Sequence, residues 1–135
     1  MIISRAGFFR ELPHGLPTGE SLRESLPRPG RADPLPQAQE SRLLRHLWGN
    51  TVLVATGCLT DDVLDPSAQG VAPLEMVTDG AWVWPRDLAH YVEKYHVAVP
   101  LPFVLHLELL DWAQPRLHPD QLLEVESAFL EPFSG

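Results

Sequence analysis

Residues 51–56, Thr-Val-Leu-Val-Ala-Thr, run apolar and β-branched without a charge, which is the pattern of a buried strand. The strand signal returns at 74–78, Leu-Glu-Met-Val-Thr, and again at 81–84, Ala-Trp-Val-Trp, with Asp79-Gly80 between them. An Asp-Gly pair between two such runs predicts a hairpin, because glycine takes the positive φ that the turn demands at no steric cost. The period of two then sets Trp82 and Trp84 on one face of the returning strand and Val83 on the other. Residues 1–4 are a further short strand candidate.

Helical spacing alternates with these runs. Leu43, Leu44 and Leu47 share one side of residues 37–48, and Gly49-Asn50 ends that helix with a residue suited to the left-handed region. Pro85 suits a first turn, and Leu88, Tyr91, Val92 and Tyr95 follow at i, i+3, i+4 and i+7. Pro102 opens a third helix to about Trp112, carrying Phe103, Leu105, Leu107, Leu109 and Leu110, and residues 120–130 form a last one with Leu122, Leu123, Val125 and Phe129. The expected architecture is α+β in a single domain, 1–135. A small antiparallel sheet of 51–56, 74–78 and 81–84 would carry helices packed mainly on one face.

Residues 1–36 break the periodicity. Pro13, Pro17, Pro27, Pro29, Pro34 and Pro36 exclude long helices there, since each removes a donor and biases its predecessor to extended backbone. The segment therefore reads as a long Pro-rich N-terminal arm on a body of residues 37–135, with a short helical stretch at 20–26 and Phe8, Phe9 and Leu12 anchoring it. No run approaches the ~18 apolar residues of a membrane span, so neither a membrane nor secretion is expected and the chain is placed in the cytoplasm.

Charge is distributed unevenly. Residues 1–46 hold seven arginines against five acids, whereas residues 47–135 hold three bases against thirteen acids, for a net −8 overall. The larger part repels phosphate backbones, which excludes nucleic acid as a partner and favours either solubility or attraction to a basic protein. Asp61, Asp62 and Asp65 read as a solvated acidic loop without the glycine and spacing of a calcium loop.

No pattern of residues carries recognisable chemistry. The six histidines include no His-Glu-x-x-His or His-x-His pairing, and no Gly-x-Ser-x-Gly elbow or phosphate loop occurs. Cys58, the single cysteine, ends an apolar strand and reads as a buried, inert thiol. Accordingly no catalytic residue, metal or cofactor is expected. Trp84, Tyr91 and Tyr95 read as core, while Trp82 fits either the core or a recognition surface.

The segment Thr78-Asp-Gly-Ala-Trp-Val-Trp-Pro-Arg-Asp-Leu-Ala-His-Tyr-Val-Glu-Lys-Tyr-His-Val-Ala-Val-Pro100 resembles a pattern, Thr-Asp-Gly-x-Trp-x-Trp-Pro-x-x-Leu-x-x-Tyr-Val-x-x-Tyr-His-Val-x-x-Pro, found in a group of small bacterial proteins. Some of these resemble immunity proteins of polymorphic toxin systems. The opening Phe9-Arg-Glu-Leu-Pro-His-Gly15 is similar to the same group, whereas Pro100-Leu-Pro-Phe103 departs from its usual continuation. The resemblance attaches no catalytic role to these positions. It implies an inhibitor of a cognate toxin, and the charge asymmetry suits such a protein-binding role, with an acidic surface that engages a basic partner; the candidate partner-binding residues are Asp61, Asp62, Asp65, Trp82, Asp87 and His90. The alternatives are an enzyme built from dispersed residues such as His90, Asp87 and Tyr91, or a regulatory interaction module.

Overall fold

The Asp79-Gly80 turn forms as the sequence predicts, with Gly80 at φ +98°. In the computed structural model, which describes residues 2–27 and 35–130, this turn joins β3 (Ala72–Thr78) to β4 (Trp82–Pro85), and β2 (Thr51–Thr60) pairs antiparallel with β3. A two-residue strand, β1 (Ser4–Arg5), pairs with β4 in parallel, so the order is β1-β4-β3-β2 and the sheet is mixed rather than antiparallel. The parallel pair is short. Ser4 N donates to Ala81 O and Ala6 N to Val83 O, both at 3.1 Å, while Ile3 and Ala6 are buried beside it.

Four helices complete the α+β fold: α1 (Gln37–Gly49), α2 (Leu88–Tyr95), α3 (Leu101–Leu109) and α4 (Pro119–Leu130). Alternation along the strands decides their placement. Val77 and Trp84 face a core with Leu43 and Leu47 of α1, Leu88, Tyr91 and Val92 of α2, and Phe103 and Leu107 of α3. Met76 and Val83 face the other way, onto Ile3, Phe8 and α4 through Val125, Ala128 and Phe129. Three helices thus cover one face and α4 covers the opposite one. Among the described residues no helix is long and apolar enough to cross a membrane.

The N-terminal segment is no appended arm. Residues 2–27 bury Ile3 and Phe8 in the α4 core and Ala6, Phe9, Leu12 and Leu22 in the other, so irregular backbone full of proline is still part of the packed interior. Pro29 and Pro34 lie outside the described residues. The helical stretch expected at 20–26 shrinks to one 3-10 turn, Arg23–Ser25. The Glu11 carboxylate accepts from Ser21 Oγ, Leu22 N and Arg23 N at 2.8–2.9 Å, satisfying the leading amides there.

Two further expectations are corrected. α1 ends without a left-handed residue: Asn50 has φ −81° and its Nδ2 donates to His46 O at 2.7 Å, so a side chain rather than the backbone closes the helix. β2 runs to Thr60 and is an edge strand, bulged where Gly57 takes φ +78°. Its residues 55–59 are exposed, Cys58 among them, so the thiol read as buried lies in solvent. β-branching specifies extended backbone, whereas burial depends on what the sheet edge meets.

Candidate functional site

The acidic loop and α2 meet, but as an internal structure. Asp62 has a fully buried carboxylate. Its Oδ2 accepts from His90 Nε2 at 2.8 Å, Tyr95 Oη at 2.8 Å and Lys94 Nζ at 3.2 Å, while Oδ1 accepts from Leu64 N at 2.8 Å. His90 and Lys94, four apart, share one side of α2, and Tyr95 reaches the same oxygen from the adjoining side with the length of its ring, 6.4 Å from that of His90. Burial by itself would raise the Asp62 pKa; the bonds from His90, Tyr95, Leu64 N and Lys94 outweigh it and hold the carboxyl below the usual range.

Tyr91 extends this cluster inward. Its hydroxyl accepts from Val63 N at 3.0 Å and donates to Asp61 O at 3.3 Å, and burial pushes its pKa up to about 12. Asp65 accepts from Ser67 Oγ, Ser67 N and Lys94 Nζ, which lower its pKa to about 2. Lys94 is held above its usual value, first by Asp65 and then by Asp62. Asp61 keeps its side chain at the surface, accepting from Gly70 N at 2.9 Å. The solvated triple of the sequence reading is therefore two outward carboxylates flanking one interior hub. Replacing all three would remove the hub as well as surface charge.

The remaining candidates separate. Asp87 is fully buried, with Oδ2 2.9 Å from His14 Nε2 but off the line of a good hydrogen bond. Trp82 is half-buried and belongs with α3, its ring 4.8 Å from that of Phe103. His90, Asp87 and Tyr91, the residues of the enzyme alternative, do not converge: His90 turns to Asp62, Asp87 to His14, and Tyr91 to Val63 and Asp61.

A second hub escaped the sequence reading. Asp79 Oδ2 sits 3.0 Å from His46 Nε2 and 2.9 Å from His106 Nε2, and Oδ1 accepts from Ala81 N at 3.0 Å and Trp82 N at 2.9 Å. Burial opposes ionisation, yet the bonds from His46, Trp82 N and Ala81 N, with the charge of His106, leave the Asp79 pKa lowered. The hairpin turn is thereby tied to α1 and α3 at once. Asp79 was legible as a turn residue; nothing in the local pattern announces two histidines 33 and 27 positions away. Among the described residues no group of three His, Cys, Asp or Glu side chains could hold a metal ion.

Two surface features remain. Arg5, Phe8, His14, Leu16, Met76 and Phe129 line a half-open, mostly apolar hollow of about 230 Å³ beside α4. On α3, Leu101, Leu105 and Leu109 are 66%, 50% and 89% exposed. Their i, i+4, i+8 spacing was available in the sequence. It was masked because Phe103 and Leu107 on the buried side make the helix apolar all round. No protein-family model, no curated protein and no solved structure matches this chain.

Proposed function

We propose that this chain is a cytoplasmic protein-binding inhibitor, of the kind represented by immunity proteins of polymorphic toxin systems, and that its partner is a basic protein. The observation that carries the reading is unpaired acidic charge on the surface of residues 61–126. Asp61, Glu93, Glu108 and Asp111, with Asp120, Glu124 and Glu126 of α4, are exposed, and none takes part in an ion pair among the described residues. Of the three bases after residue 46, Arg86 is engaged with Glu75 and Lys94 with Asp62 and Asp65, leaving Arg116. Such a field accelerates encounter with a basic partner and repels acidic competitors.

Affinity capture with the purified chain, followed by assay of the captured protein with and without it, tests this reading. Inhibition at one equivalent is expected, with an on-rate that falls as salt shortens the screening length to ~8 Å and below. A captured partner whose activity is indifferent to the chain would end the inhibitor reading. A second reading, small-molecule binding, is favoured by the hollow, where His14 stands on the wall with buried Asp87 behind it. Chemical-shift changes confined to Phe8, His14 and Phe129 on adding a metabolite extract would support it.

A further inference from the structure

The outward row of α3 is built like a docking ridge. At 100° per residue, Leu101, Leu105 and Leu109 fall on one side of the helix, opposite Phe103 and Leu107, which are fully buried. The platform beneath the row is rigid: Phe103 packs on Trp82 and Trp84, and His106 is bonded to Asp79. Beyond α3 the chain turns back sharply through Asp111 and Trp112, at φ +52° and +59°, with Trp112 N donating to Leu107 O at 2.8 Å. This leaves Leu109 at the exposed shoulder of the turn. Apolar side chains aligned in water on a fixed helix mark an interaction surface rather than a gap in packing.

The charge around the ridge selects the partner. Glu108 and Asp111 are exposed beside it, and residues 97–115 contain no lysine or arginine. The one imidazole there, His106, is held by Asp79. A second copy meeting the ridge with its own ridge would bring the same Glu108 and Asp111, and no lysine or arginine of residues 97–115 to answer them. An anionic lipid surface would be repelled for the same reason. We infer that the Leu101–Leu105–Leu109 ridge of α3 is the docking surface for a polypeptide segment of the partner that presents apolar anchors flanked by lysine or arginine. This rests on the protein-binding reading above and moves its anchor from the acidic loop to α3, with Asp61 and Asp65 left to steer.

The probe is a pair of synthetic, fluorescently labelled amphipathic helices with identical leucine positions, one carrying lysine and the other glutamate elsewhere, titrated into the full chain by anisotropy. The lysine helix should bind and the glutamate helix should not. Leu105→Gln with Leu109→Gln should weaken the lysine helix by roughly tenfold or more, because central apolar anchors carry most interface energy. The variant should keep the wild-type circular dichroism spectrum and melting curve, since these side chains are half or more in water. If the pair perturbs folding, Leu109→Gln alone, at the most exposed position, repeats the test. Equal binding of the lysine helix to variant and wild type would overturn the inference, as would equal binding of both helices. Wild-type dimers in sedimentation that the double variant abolishes would assign the ridge to a second copy instead, and binding to vesicles containing anionic lipid that it abolishes would assign it to a membrane. Failure here is separable from failure of the inhibitor reading. A natural partner captured equally by the Leu variant sinks only the ridge, whereas a ridge that binds the lysine helix in a chain that inhibits no partner sinks only the inhibitor.

Discussion

Asp79 and Asp62 are both fully buried carboxylates, each accepting from a histidine Nε2 and from backbone amide, yet they fasten different things. Asp79 joins a hairpin turn to α1 and α3 through two imidazoles, one of them fully buried. Asp62 joins a loop to one helix through His90, Tyr95 and Lys94, and its ammonium partner is 37% exposed. A buried charge whose donors can turn back to water is cheaper to lose than one whose donors are walled in. The same kind of hub is therefore a keystone in one place and a loop fastening in the other.

The widest gap should appear on deletion. Asp79→Ala strands the fully buried His46 ring nitrogen and the Ala81 and Trp82 amides, and is expected to cost about 3–5 kcal/mol in urea denaturation. Asp62→Ala should cost about 2 kcal/mol, because Lys94, 37% exposed, can rehydrate. A reversed order would break the comparison. Next in size is Gly80→Ala, beside the Asp79 hub, at about 1–2 kcal/mol: φ is +98° and a Cβ would meet Leu117 Cδ2 at 3.0 Å, so the melting midpoint should fall.

Acid sharpens the comparison further. Both carboxyls titrate below their unfolded value, so each contributes stability that is complete above about pH 4 and disappears as pH falls through its folded pKa. Asp79→Asn should flatten the acid limb of the stability curve more than Asp62→Asn does. Tyr91 acts at the other end with the opposite sign. Its pKa is raised from 10 to about 12, so its contribution holds below pH 10 and is lost between 10 and 12, a loss that Tyr91→Phe should remove from the alkaline melting series. The smallest effect belongs to the outer carboxylates: Asp61→Asn with Asp65→Asn should leave the melting curve in place and slow association with a basic partner a few-fold, read by surface plasmon resonance at low salt. A large loss of folding would mean that these two are fastenings like Asp62.

Local pattern determined much of this protein. The Asp79-Gly80 hairpin, the helical repeat of Leu88, Tyr91, Val92 and Tyr95, and the fully buried Trp84 and Tyr91 follow from periods and turn chemistry that neighbouring residues set among themselves. What tertiary structure alone decided is which residues meet across long stretches of chain. β1 found a parallel place beside β4, residues 2–27 entered both cores despite their prolines, and β2 was left at an edge with Cys58 in water. Asp62 and Asp79 were drawn inside by histidines 28 and 27–33 positions away. A carboxylate's burial depends on donors that only the packed layers bring within 3 Å, and a leucine's exposure on whether any layer lies over it. Neither is encoded in the period of a single helix or strand.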